Sequence, residues 1–588
     1  MDTFQEQELV HQGLGVSPGI ADGEVVVHWQ DEEEIPLRKI TLEQIPDEIA
    51  RFESALIATR KELLDIQQKI AEAIGSKDAS IFDAHLLVVE DRTLIDEALR
   101  GLERDLHNIE FVFHQVAEKY CRTLAAIDDP YLQERVVDIE DVTRRVVRHL
   151  LGKSQEKLHR LDRPHIIVAR NLTPSDTALI NRQLVQGFVT EQGSRTSHSA
   201  IMARSLGIPA IVALSGICSK LTTGDRVLLD GYSGKMVANP NEQTRFDYGH
   251  LEKQKFVVEQ ELESIRTTSS ETLDGRHIIL SANIELPSEI ESVGTSGAEG
   301  VGLFRTEFLF LNRSIPPSED EQYEAYKLVA EKCKPHGAII RTLDVGGDKL
   351  MHLSDAAEED NPFLGCRAIR LCLNEPEMFK TQLRAILRAS AHGRVRIMYP
   401  MISQIEEVRR ANALLEECRE DLTTRGIPQA QKLEIGTMIE VPAAALIADQ
   451  LAREVDFFSI GTNDLVQYVM AADRGNERIA ELYQSTHPSV LRLIRMVAEA
   501  AHEQGIWIGM CGEMASDIQL TPLLLGLGLD ELSVVTAAVP RVKKAVQSLD
   551  LTDCRKLAEH VDTMTSSSEI EETCREYAKQ RYPQLFDC

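Results

Sequence analysis

The sequence has little basic charge, no long apolar runs and no closely spaced cysteines. Its 588 residues include 64 Lys and Arg against 94 Asp and Glu, which gives a net charge of −30. Proteins that bind nucleic acid neutralise its phosphates with a basic surface, so this balance argues against that class of function. The apolar runs, such as Leu523–Leu525, are far shorter than the ~20 residues of a membrane span. We therefore expect neither a nucleic-acid partner nor a membrane segment.

The first residues and the cysteines bear on the compartment. The N-terminus is polar and lacks the basic start and apolar core of a secretion signal. Ten cysteines are scattered up to Cys588 without a CxxC pair, a pattern typical of reduced thiols rather than of a disulfide frame or a zinc site. We expect a cytoplasmic protein. With 43% apolar and 27% charged residues it is globular, and its length corresponds to about three or four domains.

The first 150 residues change composition abruptly. Gly13–Gly19 has turn chemistry and precedes a predicted strand, residues 20–29. Residues 31–150 then contain few glycines and prolines, and their apolar residues recur at helical spacing. This pattern predicts a helical subdomain inserted after one strand. It carries 27 acidic and 16 basic residues, a net charge of −11.

A compact α/β domain follows the insert. Its predicted strands are short apolar runs of the kind that are buried in a sheet: residues 166–169, 185–189, 209–212 and 226–230. We expect residues 1–30 and 151–240 to form this domain together. Residues 241–268, rich in Lys and Glu and poor in proline, predict a linker helix.

The remaining residues, 269–588, repeat strand, loop and helix. The eight predicted strands are residues 277–284, 300–304, 338–343, 395–399, 434–439, 456–460, 507–510 and 531–535. Eight strands that are each followed by helical sequence are what a (β/α)8 barrel, or TIM barrel, requires. The fold class expected for the chain is thus α/β multidomain.

One histidine stands at the predicted start of a helix. Gly207 supplies a C-cap and Pro209 prevents continuation, so the helix that contains Ile201 must begin near residues 197–199, with His198 at its N-terminal end. The positive end of a helix disfavours imidazolium and keeps the ring nucleophilic. Backbone N–H groups and the hydroxyls of Thr196, Ser197 and Ser199 suit a phosphate on that ring. Most histidines in a chain are surface or packing residues, so this signal alone is not decisive.

Polar residues follow the predicted barrel strands, at the end where barrel enzymes place their chemistry. They are Arg305, Arg341, Arg367, Glu440, Asn463, Asp464, Arg474, Cys511 and Glu513. Arginine forks match phosphate and carboxylate groups. Glu440 and Asp464 suit a hard cation such as Mg²⁺, with a substrate phosphate completing its ligands. We expect a site for a small phosphate ester that carries a carboxylate. A lone cysteine is usually a buried small residue, but Cys511, beside Glu513, has the chemistry to exchange a proton.

Three motifs carry a family resemblance. They are Gly-Ser-Arg-Thr-Ser-His198-Ser-Ala-Ile-Met-Ala-Arg, Gly-Leu-Phe-Arg305-Thr-Glu-Phe-Leu-Phe and Asp456-Phe-Phe-Ser-Ile-Gly-Thr-Asn463-Asp464-Leu. Together with the order of segments along the whole chain, they resemble enzyme I of the bacterial phosphotransferase system, in the PEP-utilising enzyme family. The resemblance implies that phosphoenolpyruvate is the substrate.

The resemblance also implies roles for individual residues. Phosphoenolpyruvate would bind through Arg305, Arg341, Asn463, Asp464 and Arg474. Glu440 and Asp464 would bind Mg²⁺. His198 would take the phosphoryl group on Nε2, and Cys511 would protonate the remaining enolate to give pyruvate.

Partners and assembly are implied in the same way. Phospho-His198 would pass its group to a histidine of the small carrier HPr, docked on the helical insert, for sugar uptake. The −11 charge of the insert suits a carrier with a basic docking face. The family forms homodimers through the barrel, and the His198 domain swings between its two partners.

Two positions depart from the family pattern, and three alternatives compete with it. Ser194 replaces a usual glycine and Cys366 a usual bulky aromatic, without removing a reacting group. A pyruvate-phosphate or pyruvate-water dikinase would need a further ATP-binding domain. The nitrogen-regulatory paralogue would need a sensory domain before Gly13, where only about twelve residues stand. A silent scaffold is expected to have lost His198, Asp464 or Cys511, and all three are present.

Overall fold

A computed structural model gives the fold. The residues that the structure describes are 8–28, 35–74, 81–125, 130–152, 163–172, 184–194, 197, 199–200, 203–204, 207–310, 313, 315–346, 361–474 and 476–586. The chain divides into two compact units, Met1–Lys253 and Gln254–Cys588. None of the described helices is long and apolar enough to cross a membrane.

The first unit contains an eight-stranded sheet. Its strands are β1 (Leu9–Gln12), β2 (Leu14–Ser17), β3 (Ile20–His28), β4 (His165–Ala169), β5 (Val185–Thr190), β6 (Ala210–Val212), β7 (Arg226–Asp230) and β8 (Lys235–Ala238). Their order is β1-β8-β7-β3-β4-β5-β6-β2. The four central strands β3, β4, β5 and β6 run parallel and the outer pairings are antiparallel. Of the parallel strands, β4 and β6 are buried along their whole length because both of their faces are covered.

Five helices lie among the described residues between β3 and β4. They are α1 (Ile45–Ile74), α2 (Ile81–Val89), α3 (Arg92–Asp105), α4 (Ile109–Ala125) and α5 (Pro130–Leu150). They have an apolar core of their own, in which the rings of Phe52 and Phe113 lie 5.0 Å apart. A further helix, α6 (Glu242–Ser264), follows the sheet.

The second unit is a closed barrel of eight parallel strands. The strands are β9 (Ile279–Ile284), β10 (Val301–Arg305), β11 (Ala338–Arg341), β12 (Val395–Tyr399), β13 (Glu434–Ile439), β14 (Phe457–Ile460), β15 (Trp507–Met510) and β16 (Glu531–Val535). Closure removes every free edge, so the backbone polar groups of all eight strands find partners within the sheet. The predicted α/β multidomain fold with a C-terminal (β/α)8 barrel is confirmed.

Helices connect and cover the barrel strands. They are α7 (Ile290–Ser296), α8 (Glu319–Lys332), α9 (Ile369–Asn374), α10 (Pro376–Ala389), α11 (Ile405–Thr424), α12 (Pro442–Leu446), α13 (Ala448–Leu451), α14 (Thr462–Met470), α15 (Pro488–Glu503), α16 (Thr521–Gly526), α17 (Val539–Gln547), α18 (Leu551–Val561) and α19 (Ser567–Arg581). Alternate residues of each strand face these helices and the others face the barrel interior, which we call the lumen. Five apolar lumen side chains pack with Cys511: Leu303, Ile339, Met398, Met438 and Phe457.

The first unit corrects one expectation. Gly13–Gly19 was predicted as turn chemistry, but Leu14–Ser17 is strand β2, paired antiparallel with β6. The pairing is possible because Gly15 lies against the carbonyl oxygen of Gly231, where a side chain would not fit.

Candidate active site

Polar side chains from five barrel strands converge on one cavity of about 290 Å³. Arg305 and Arg341 end β10 and β11, Glu440 follows β13, and Cys511 follows β15. The loop after β14 leads directly into α14, which carries Asn463 and Asp464. All seven barrel residues predicted for the site line this cavity: Arg305, Arg341, Glu440, Asn463, Asp464, Arg474 and Cys511. The carboxyl ends of parallel strands meet at one face of a barrel, and this brings them together.

Arg341 is the most constrained of the arginines. It is 7% exposed, its Nη2 donates to Glu307 Oε1 at 2.7 Å, and its Nη1 lies 2.8 Å from Asp344 Oδ2. Burial by itself lowers the pKa of Arg341, but Glu307, Asp344 and Glu440 together hold that pKa above its ordinary value. The guanidinium is thus permanently charged and fixed in orientation at the base of the cavity.

Asp344 joins Arg341 to a second guanidinium. Its other oxygen, Oδ1, accepts a hydrogen bond from Arg367 Nη2 at 2.8 Å. Burial raises the pKa of Asp344, and the two arginines outweigh that effect and hold its pKa below its usual range. A single buried carboxylate therefore fixes the spacing of two cations.

Three arginines keep an unsatisfied donor. The Nε atoms of Arg305, Arg341 and Arg367 are buried and have no hydrogen-bond partner among the described residues. A buried donor without an acceptor costs about 1–3 kcal/mol, so such groups usually have a partner. All three arginines line the same cavity, and an anionic ligand there would supply acceptors.

Two further carboxylates, Glu440 and Asp464, line the same cavity. Glu440 is 1% exposed, and its Oε1 accepts the N–H of Met401 at 2.6 Å. Burial, together with the negative charges of Asp464 and Asp344, raises the pKa of Glu440 to about 8. Asp464 Oδ1 is buried without a partner among the described residues. A bound cation would offset the repulsion between the two carboxylates.

The pair fits Mg²⁺ rather than a metal held by the protein alone. Among the described residues there is no group of three or more His, Cys, Asp or Glu side chains that suits a metal ion. Mg²⁺ is commonly bound by one or two carboxylates together with substrate phosphate and water, which is the donor set that Glu440 and Asp464 offer. The orphaned Oδ1 of Asp464 is the oxygen available for it.

Asn463 and Arg474 occupy the rim. The Asn463 side chain donates to Glu513 Oε1 at 3.1 Å and accepts the backbone N–H of Glu513 at 3.0 Å. Glu513, expected beside Cys511, is thus committed to Asn463. Arg474 is exposed, and its backbone N–H donates to Gln467 Oε1 at 3.2 Å.

Cys511 presents a thiol to the cavity from below. It is 6% exposed, and its Sγ donates to the Ile460 carbonyl oxygen at 3.7 Å. Burial raises the pKa of Cys511 to about 11, although the hydroxyl of Ser459 and nearby Arg341 oppose that rise. The thiol therefore holds its proton at neutral pH. Asn283 Nδ2 donates to the Cys511 carbonyl oxygen at 3.2 Å and fixes the backbone at this point.

The histidine motif is described only in part. His198 lies outside the described residues, as does Thr196. Around it, Ser199–Ala200 and Ala203–Arg204 are helical, and Ser197 Oγ lies 3.2 Å from Ser199 Oγ. Gly207 has a φ of +62° and ends the helix as predicted.

Several residues of the cavity were not predicted as site residues. Asp344 stands three residues after Arg341, and Glu307 two after Arg305, so both were visible in the strand-end motifs. Glu285 directly follows β9 and pairs with Arg305 at 2.7 Å, so it too stood at the end of a predicted strand. Only Glu440 and Asp464 were predicted to have a role as carboxylates. The role of Glu285, Glu307 and Asp344 in positioning guanidinium groups was missed.

The two departures from the family pattern are accommodated locally. The carbonyl oxygen of Ser194 accepts two hydrogen bonds from Ser197, one from its backbone N–H at 3.2 Å and one from its hydroxyl at 2.9 Å. Cys366 is half-buried, and its Sγ accepts from Asn374 Nδ2 at 3.5 Å.

Three family models match the chain. The PEP-binding domain of PEP-utilising enzymes matches residues 259–551, the N-terminal domain of the same enzymes matches 12–135, and their mobile domain matches 161–234. A solved structure titled "NMR solution structure of Enzyme I (nEIt) protein using two 4D-spectra" is 37% identical, with a TM-score of 0.36, and covers 42% of this chain and 99% of that one.

Curated relatives extend over nearly the whole chain. Proteins named phosphoenolpyruvate-protein phosphotransferase from Staphylococcus carnosus and Listeria innocua are each 43% identical over 97% of this chain and 99% of their own. The protein of that name from Bacillus subtilis is 43% identical over 96% of this chain and 98% of its own. Identity at this level, over this length and across all three domain models, shows that the chain belongs to the phosphoenolpyruvate-protein phosphotransferase family of PEP-utilising enzymes.

Proposed function

We propose that this chain transfers the phosphoryl group of phosphoenolpyruvate to its own His198 and then to a histidine of the carrier HPr, releasing pyruvate. The observation that carries the proposal is the cavity at the carboxyl end of the barrel. It combines buried guanidinium donors, a pair of carboxylates and a protonated thiol within about 290 Å³. The guanidinium groups match the negative charges of phosphoenolpyruvate. The carboxylates would hold a cation that binds its phosphate, and the thiol would give a proton to the carbon that must gain one.

Substrate binding is assigned to five residues. Arg305, Arg341 and Arg474 supply positive charge for the phosphate and carboxylate, and Asn463 and Asp464 stand at the same mouth. The fixed guanidinium of Arg341, oriented by its carboxylate partners, orders the substrate without a large loss of side-chain entropy on binding. Arg474 lines the cavity and is exposed, so it stands at the entrance for the substrate.

We assign Mg²⁺ to Glu440 and Asp464. A bound Mg²⁺ neutralises charge on a phosphoryl group and orients it. Two close carboxylates, one with an unpartnered oxygen, support this assignment.

In the chemical step the Nε2 lone pair of His198 attacks phosphorus, and the bond from phosphorus to the enol oxygen breaks. The enolate that is left takes the proton of the Cys511 thiol on its methylene carbon and becomes pyruvate. A thiol whose pKa is raised to about 11 by burial keeps its proton until a strong base, such as an enolate, forms beside it. The arginines stabilise the negative charge during the transfer.

The second transfer involves another protein. We assign residues 31–150, with the five helices described there and a net charge of −11, as the surface on which HPr docks. Residues 1–30 with 151–240 form the phosphohistidine domain in this proposal, residues 241–268 the linker, and residues 269–588 the barrel through which two chains form a homodimer. His198 then moves between phosphoenolpyruvate and HPr.

The proposal places the reaction in the cytoplasm, in support of sugar uptake. None of the nine described cysteines forms a disulfide, which suits a reducing compartment. The sugar itself is chosen by later components.

Intact mass spectrometry tests the proposed function. With Mg²⁺ and phosphoenolpyruvate the protein should gain one phosphoryl group that is acid-labile, and His198→Ala should gain none. A gain that required ATP and inorganic phosphate instead would favour a dikinase. No gain with either donor would favour a silent scaffold.

A further inference from the structure

A short segment at the mouth of the cavity carries Arg367. We call residues 361–367, which precede α9, the substrate loop. Pro362, Phe363 and Arg367 line the cavity, and Phe363 is 45% exposed. The buried Nε of Arg367 has no hydrogen-bond partner among the described residues, so it is a donor that an anion in the cavity would use. The affinity for that anion depends on how firmly the substrate loop holds Arg367 in place.

One side chain outside the lining of the cavity holds this loop. The hydroxyl of Tyr468, a half-buried residue of α14, donates to the carbonyl oxygen of Phe363 at 2.5 Å. The Phe363 ring in turn lies under the Arg367 guanidinium, with 6.0 Å between Cζ and the ring centroid, which is the range of a cation–π contact. Tyr468 therefore reaches Arg367 through a single residue, Phe363.

The contacts continue from Arg367 to the fixed guanidinium of the site. Arg367 Nη2 donates to Asp344, and the other oxygen of Asp344 lies 2.8 Å from Arg341. A continuous chain of contacts thus runs from the Tyr468 hydroxyl to Arg341. Tyr468 stands at the end of this chain that is remote from the substrate.

The helix that carries Tyr468 also carries the proposed metal ligand. Asp464 and Tyr468 are four residues apart on α14, so they project from the same face of the helix. Asn463 and Gln467 have the same spacing on the adjacent face. Asn463 is hydrogen-bonded to the loop after β15, and Gln467 accepts the backbone N–H of Arg474. The helix α14 therefore ties together loops from three sides of the cavity, and Tyr468 is its tie to the substrate loop.

The charges around the Tyr468 hydroxyl keep it protonated. Burial raises the pKa of Tyr468, and the positive charge of Arg367 opposes that rise. The carboxylates of Asp464, Glu440 and Asp344 add to it, and the net effect is a pKa above the ordinary value. The hydroxyl is thus a permanent donor to the Phe363 carbonyl oxygen at neutral pH.

We propose that Tyr468 is a positioning residue, which holds the substrate loop on α14 and thereby places Arg367 for the anionic groups of phosphoenolpyruvate. The hydroxyl takes no part in proton or phosphoryl transfer. Without its hydrogen bond the substrate itself would have to order the loop, and the cost of that ordering would reduce the free energy of binding. The inference rests on the proposed function and deepens it.

Equilibrium binding tests the proposal without turnover. In a His198→Ala background, in which no phosphoryl group is accepted, calorimetric titration with phosphoenolpyruvate and Mg²⁺ gives Kd directly. Tyr468→Phe removes only the hydroxyl, and we expect it to raise Kd about fivefold, the scale of one hydrogen bond. In the full-length protein that retains His198, KM for phosphoenolpyruvate should rise by a similar factor while kcat stays within about twofold. An unchanged Kd in Tyr468→Phe would overturn the proposal.

A double-mutant cycle shows whether Tyr468 acts through Arg367. Arg367→Lys keeps the charge but lacks the planar fork and its Nε. In that background Tyr468→Phe should change Kd by less than about twofold, because the group that Tyr468 places is gone. If Arg367→Lys does not fold, Phe363→Leu replaces it, since leucine keeps the carbonyl acceptor and removes the ring contact, and the same small effect is expected. A full fivefold effect in the second background would overturn the proposal.

Two comparisons separate positioning from a general structural effect. Tyr323 is half-buried like Tyr468, and its hydroxyl lies 2.9 Å from His392 Nε2, outside the site, so Tyr323→Phe should leave Kd unchanged. At saturating phosphoenolpyruvate, Tyr468→Phe should need the same Mg²⁺ concentration as wild type. A Mg²⁺ requirement raised tenfold or more would mean that the change disturbs α14 as a whole, and would overturn the assigned role. If the His198→Ala protein with Tyr468 intact bound no phosphoenolpyruvate, the proposed function itself would be wrong.

Discussion

The carboxylate of Asp344 lies 2.8 Å from Arg341 through one oxygen and 2.8 Å from Arg367 through the other. This bridge sets the distance between two cations that would otherwise repel each other. It also leaves the Nε atom of each guanidinium group without a partner among the described residues. The bridge therefore holds the two arginines in place for an anion without using all of their donors.

Asp344→Asn should weaken both substrate binding and the fold. The amide keeps the shape but leaves two buried guanidinium groups without their shared counter-charge. We expect KM for phosphoenolpyruvate to rise about tenfold or more and the free energy of unfolding to fall by about 3–5 kcal/mol, as when other buried ion pairs lose one partner. Initial-rate kinetics and urea denaturation measure the two effects.

Glu454→Gln is the matched control. Glu454 pairs with Arg409 at 2.8 Å on the surface, where such pairs contribute about 0–1 kcal/mol. If Asp344→Asn were as mild as this control, the positioning role of Asp344 would be wrong.

The stabilisation by Asp344 should also depend on pH. Burial raises its pKa, but Arg341 and Arg367 prevail and hold that pKa below its usual range. A lowered value in the folded state means that the stabilisation is complete above the unfolded pKa of about 3.9 and is lost as the pH falls through the folded value. The difference in unfolding free energy between wild type and Asp344→Asn should be constant above about pH 5 and shrink below about pH 4. A difference that grows in acid would contradict this.

Cys511→Ala should slow pyruvate formation by roughly 10²–10⁴-fold, the usual contribution of a positioned acid, with little change in KM. The thiol is neutral and adds no charge to substrate binding. Since burial raises its pKa to about 11, ionisation of the thiol should not limit the wild-type rate near neutral pH. Stopped-flow detection of pyruvate measures the step, and Cys554→Ala, at a buried cysteine on α18, is the control. A Cys511→Ala rate within a factor of about three would rule out the acid role.

Removal of Mg²⁺ with EDTA should abolish phosphorylation by phosphoenolpyruvate, and Mg²⁺ should restore it. Glu440→Gln and Asp464→Asn should each need a much higher Mg²⁺ concentration, since each removes one charged oxygen ligand. Asp449→Asn, an exposed carboxylate on α13, should respond to Mg²⁺ as wild type does. Calorimetric titration of Mg²⁺ in the presence of phosphoenolpyruvate gives the affinities. Wild-type affinity in both site variants would show that the metal binds at another site.

Transfer to HPr should weaken with salt, whereas the first phosphorylation should change little. The helical segment has a net charge of −11, and attraction between exposed charges is screened over about 10 Å at 0.1 M salt. Rapid-quench measurement of each step at several salt concentrations separates the two. Equal sensitivity in both steps would argue against docking on this acidic segment.

The barrel strands were predictable because they are buried hydrophobic runs. The predicted boundaries of all eight lie within two residues of the observed ones. In the first unit, β1, β2 and β8 were missed. In β1, Leu9 is 51% and Val10 63% exposed, so it lacks the apolar pattern of a buried strand. Its place is decided by antiparallel pairing with β8, a partner more than 200 residues away in the sequence.

The site, like the fold, has one part that the sequence predicts and one part that it does not. Arg305, Arg341, Glu440 and Cys511 stand where strands end, and the barrel topology alone brings such positions together. The bridge made by Asp344 depends on side-chain directions within a loop, and so does the engagement of Glu513 by Asn463. Tyr468, within α14, gave no sign in the sequence that its hydroxyl contacts Phe363.

Phosphoryl chase is the most direct test of the central claim. Wild-type protein is labelled with phosphoenolpyruvate carrying ³²P, freed of excess substrate and mixed with HPr. We predict that the label is acid-labile, equals the pyruvate released, is absent from His198→Ala and moves onto HPr. Label that survives acid, stays on the chain or appears in His198→Ala would contradict the account.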